Sequence, residues 1–150
     1  MGGPRTGKAD RRLAPAYIDK ASDFYNGMVD AAARGNWTVA ASSAVHCAIN
    51  SCDAVAVNYH GLKPVASATR GSSVKFLGER STSVRHDDAI RLLAKAQPPG
   101  FGEKIHQIQE ILSAKSGVEY GFEKPSRAKA EMMVKQAHRI FSWAKETVRS

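Results

Sequence analysis

The sequence is short of what would place it in a membrane or in a disulfide-built fold. No apolar run approaches the roughly 20 residues that span a bilayer. The basic N-terminus leads into a polar amphipathic segment rather than an apolar signal core, so a cytoplasmic protein with no membrane partner is expected. Only two cysteines occur, Cys47 and Cys52. In a helical segment this spacing sets them about 140° apart around the axis, so they cannot bridge without breaking the helix. They are expected as buried free thiols. The histidines His46, His60, His86, His106 and His138 are scattered singly, so no soft-ligand set forms and no metal or other cofactor is expected. No alternating apolar run is bounded by turn residues, and no strand is predicted. Acidic residues are outnumbered, 14 Asp and Glu against 22 Lys and Arg, for a net charge of +8.

What is present suffices for one domain. The chain has 150 residues, 43% of them hydrophobic and 24% charged, which is ordinary for a globular protein with a real core. The positive excess is clustered. Arg5, Lys8, Arg11 and Arg12 crowd the first dozen residues, and Lys63, Arg70, Lys75, Arg80 and Arg85 lie in a Gly- and Ser-rich stretch opposed only by Glu79. Such clusters suit phosphates of RNA or DNA, or an acidic partner. They also suit a plain solvated surface, and few aromatics accompany them to stack on bases.

Residues 1–14 combine glycines, Pro4 and charge without periodicity and read as a disordered basic arm. From Pro15 the residues Tyr17, Ala21, Phe24, Met28 and Ala32 recur at helical steps, and Gly35 supplies a stop. A second helix over about 38–59 carries a stripe of small residues and is expected to be central, with Asn36 or Thr38 as its cap. Residues 61–85 break all periodicity, and a loop of that length tends to be functional. A third helix follows Asp87, with Asp87 and Asp88 in its first turn. A fourth runs from Ile105 to about Lys115, and Gly117, Gly121 and Pro125 mark the next connection. Ser126 can cap a last long helix whose expected buried stripe is Ala130, Met133, Val134, Ala137, Ile140, Phe141, Ala144 and Val148. The expected fold is all-α, an antiparallel bundle of about five helices over 15–150.

Three pieces, in this order and spacing, resemble the HEPN family of small helical bundles. The first is the helix with Asn36, Trp37, Ala40, Ala41, Ser43, Ala44, His46, Ala48 and Ile49, ending in Asp53 and Ala54. The second is His86, Asp87 and Asp88 followed by Leu92 and Leu93. The third is Glu119 and Tyr120, then Ser126, Ala130, Ala137 and the segment from Arg139 to Trp143. The resemblance covers about residues 16–148. It implies a homodimer, and partners that include RNA, a nucleotide or a small nucleotidyltransferase-like protein, often as a toxin–antitoxin pair. The family's ribonucleases use an Arg and, four to six residues on, a His, held at the dimer interface and needing no metal.

In the family's register that pair falls on Lys115 and Tyr120. Lysine lacks arginine's planar fork, and tyrosine titrates near pH 10, so both roles are weakened. The sober reading is that Lys115 is a solvated helix-end charge, favourable to the dipole there, and Tyr120 a packing residue. The one literal spacing match, Arg80 with His86, is out of register and is the basis of an alternative reading as a metal-independent ribonuclease toxin. A third reading is a protein interaction module without nucleic-acid contact. His46, Asn50 and Asp53 share one helix face, either as a polar groove beside Tyr120 or as a buried histidine satisfied by Asp53. His138 is expected to be partly exposed. The expected function is a catalytically degenerate HEPN-like binding protein.

Overall fold

Pro15 starts the first long helix, α1 (Ala14–Ala33), from a position where a missing N–H leaves no bond unmade. In this computed structural model, which describes residues 6–8, 11–60, 62–64, 90–120 and 124–149, four more α-helices follow. These are α2 (Trp37–His60), α3 (Phe101–Ser113), α4 (Lys115–Tyr120) and α5 (Arg127–Arg149), with a shorter helical segment over 90–96. The fold is the all-α bundle of about five helices that the periodicity predicts.

The stop expected at Gly35 is a six-to-one turn. The Asn36 N–H donates to the Ala31 carbonyl at 2.8 Å and the Gly35 N–H to that of Ala32 at 3.1 Å, which satisfies two carbonyls left over at the end of α1. Gly35 sits at φ +72°, where a side chain would be strained. Asn36 then gives its own carbonyl to the Ala40 N–H at 2.9 Å and so occupies the cap position of α2. One short turn thus closes α1 and opens α2, folding them into an antiparallel hairpin.

The second helix is central, as its small residues imply. Ala40, Ala41, Ala44, Val45, Cys47, Ala48 and every residue from Ile49 to Val57 are buried, so α2 buries one face in its first half and is enclosed on all sides from Cys47 to Val57. It packs on α1, α3, α4 and α5. Trp37, at the start of α2, lies under Arg127 at the start of α5. Tyr59, near the end of α2, shares a groove with Ser142 and Glu146 late in α5. These two helices therefore run in the same direction, with α1 antiparallel to both. Ser126 caps α5 as expected, its Oγ accepting the Lys129 N–H at 3.1 Å.

The turn between 90–96 and α3 is built around Trp143 of α5. Its indole N–H donates to the Pro99 carbonyl at 2.7 Å. Gly100, at φ +81°, brings its backbone so close that a Cβ would lie 3.2 Å from the indole. Phe101 completes the contact, its ring centroid 6.4 Å from that of Trp143.

Two details depart from the sequence reading. Within the arm expected to be disordered, Thr6–Lys8 forms a strand (β1) that pairs antiparallel with Leu62–Pro64 (β2), Gly7 opposite Lys63. Arg11–Leu13 adds a helical turn leading into α1. A three-residue strand carries no alternation to read, and its partner lies far along the chain, so neither was visible in the pattern. The fourth helix also ends earlier than expected, at Ser113, and Gly117 falls inside the separate helix α4 rather than in a connection.

Candidate functional site

Lys115 is the cation that the sequence reading puts forward for holding a phosphate. The first residue of α4, it follows the break at Ala114 and is only 7% exposed. The reading of Lys115 as a solvated helix-end charge is overturned, because the lysine is buried in the fold and α4 packs on α2. Tyr120 is the last residue of α4. Arg80 and His86, and the basic residues Arg70, Lys75 and Arg85, lie outside the described residues. Lys63 is the middle residue of β2.

The polar row on α2 is not arranged as an open groove. Asp53 is 1% exposed and Asn50 is buried. The Asn50 side-chain amide donates to the His46 carbonyl at 2.9 Å, one turn back on its own helix. The His46 ring stacks on Phe24 of α1, centroids 5.1 Å apart. That stack gives the histidine a packing role against α1. His138 is exposed, as expected, and its Nδ1 lies 2.9 Å from the Tyr25 hydroxyl.

The thiols are free and buried, as the helical spacing requires. Burial pushes Cys47 up to about 12, tempered by the neighbouring Ser51 hydroxyl and the charge of Lys145. Burial likewise raises Cys52, and neighbouring Asp53 and Cys47 raise it further. Neither is a nucleophile at neutral pH. Among the described residues no group of three or more His, Cys, Asp or Glu side chains could hold a metal ion. No described helix is long and apolar enough to cross a membrane.

Two open grooves lie at opposite ends of the α2–α5 pair. One, of about 530 Å³, runs past Trp143 and is lined by Glu103, Lys104, Arg139 and Glu146, charges that balance. The other, of about 710 Å³, lies at the α1–α2 corner and is lined by Arg34, Trp37, Arg127, Glu131 and Lys135. Here three cations face one carboxylate. Arg127 donates from Nε to Glu131 at 3.2 Å, and its guanidinium carbon sits 5.5 Å from the centre of the Trp37 ring, within cation–π range.

Sequence reasoning singled out none of these five as ligand residues. A basic residue and a tryptophan on either side of a glycine stop was the available signal. Arg127 and Lys135 join them only because α5 runs parallel to α2. No protein-family model matches the chain, and no curated protein matches it.

Proposed function

We propose that this chain is a catalytically degenerate HEPN-like protein that works by binding RNA, as a cytoplasmic homodimer, with a nucleotidyltransferase-like protein as a further partner. The observation that carries this reading is the burial of Lys115. A cation that holds a scissile phosphate must be open to substrate, and its neighbour in the motif is a tyrosine, a poor general base at neutral pH. The RNA half of the reading rests on the net charge of +8 and on the β1–β2 pairing. That pairing sets the backbone of the basic arm beside the start of the basic 63–85 segment.

The test is binding and cleavage of single-stranded RNA by the purified full chain over a salt series. The expected result is binding without metal-free cleavage, with log affinity falling linearly as log salt rises. Metal-free cleavage abolished by Lys115→Ala with Tyr120→Phe overturns the degenerate reading. Cleavage abolished by His86→Ala favours the Arg80–His86 toxin instead. A flat salt response favours a protein interaction module.

A further inference from the structure

We infer that the groove at the α1–α2 corner is a site for a 5′-phosphorylated nucleotide, free or at the end of an RNA strand. This names a subsite and rests on the RNA-binding reading. Size limits the occupant first. About 710 Å³ is within the usual range of small-ligand sites and too small for a duplex, so one nucleotide is the natural unit. Charge then selects the end of a strand over its interior. Arg34, Arg127 and Lys135 against Glu131 leave two net positive charges in the lining. A terminal phosphate monoester is close to a dianion at neutral pH, whereas an internal phosphodiester carries a single charge.

Geometry supplies the rest. Arg127 is already held, by Nε on Glu131 and by its guanidinium over Trp37, so less side-chain freedom is lost when it meets a phosphate. The ion pair engages Nε, and the terminal amino groups, which form the other edge of the guanidinium fork, are not part of it. A base adds to the guanidinium–indole pair as a third stacked layer. The groove beside Trp143 offers no such site, since its charges cancel and its indole N–H is engaged by Pro99.

The experiment uses the two indole N–H resonances of the ¹⁵N-labelled full chain. Trp143, bonded to the Pro99 carbonyl, is the internal control for folding. The probes are 5′-AMP, a 5′-phosphorylated RNA trinucleotide, adenosine and inorganic phosphate. The Trp37 resonance is expected to move with AMP and with the trinucleotide while Trp143 stays. Adenosine and phosphate should each bind about tenfold more weakly or worse, and Arg127→Ala with Lys135→Ala should weaken AMP by a similar factor. Tighter binding of the trinucleotide than of AMP assigns the site to a strand end, and the reverse to a free nucleotide. No movement of Trp37 at millimolar AMP, equal binding of adenosine or phosphate, or an unaffected double variant overturns the inference. If RNA still binds with a salt slope in that case, only the groove assignment falls. If AMP binds as expected and RNA does not, the RNA reading falls and the site remains.

Discussion

Trp143 and Trp37 sit at opposite ends of the α2–α5 pair, one closed into the fold and the other beside a groove. Trp143 is 8% exposed, its N–H is bonded to Pro99, and Gly100 is pressed against its ring. Trp37 is half-buried under a guanidinium whose own side chain is 72% exposed. The sequence alone does not distinguish the two, because each indole follows a polar residue within a helical pattern. What separates them is the turn each one meets. The Pro99–Gly100 turn offers a carbonyl and room, so it takes the indole as a strut. The Gly35 turn uses its N–H groups and carbonyls internally, which leaves the second indole to the solvent side.

Trp143→Ala should have the largest effect, a loss of about 3–5 kcal/mol, since it empties a buried aromatic site and removes the indole bond to the Pro99 carbonyl. A urea midpoint close to that of the parent would put the two tryptophans in the same class. Gly100→Ala comes next, at about 2–4 kcal/mol, because left-handed strain adds to displacement of the indole. Gly35→Ala has the strain alone, with nothing within 4 Å of the added carbon, and should cost about 1 kcal/mol. Equal costs at the two glycines would remove the indole from the account.

The core side of the comparison also has an alkaline signature. The unfolded chain releases thiol protons near the ordinary value of 9.0, while the folded chain holds that of Cys47 until about 12. Folded protein therefore binds more protons in that window, and stability falls as pH rises through it, by about 1 kcal/mol per unit for a thiol. The slope between pH 9 and 11 should be shallower in Cys47→Ala than in the parent. Smallest of all is Trp37→Ala, with under about 1 kcal/mol of stability at stake in an exposed cation–π pair. A larger loss in thermal or urea unfolding would make Trp37 a second strut.

The helices were legible because each leaves a local trace. Gly35 stops α1, Ser126 caps α5, and the small residues from Ala40 to Ala56 mark the central helix. Contacts between distant segments left no such trace. The β1–β2 pairing joins residues more than fifty positions apart, and the corner groove joins Trp37 to Arg127 across the whole connection between two parallel helices. Burial of charged and polar side chains was likewise hidden. Lys115 is buried at the start of α4, and Gln136 is buried with its amide donating to Glu110 at 2.6 Å. In both cases the residue type argues for solvent and the packing decides otherwise.

The enclosure of α2 reaches beyond packing. With no solvent-facing side from Ile49 to Val57, that stretch has no low-energy local opening by which its amides could meet water. They should exchange with deuterium only when the whole bundle opens, and so at the slowest rate in the chain. The helical hairpin would then be the unit whose unfolding defines unfolding of the protein, and the last structure to be lost.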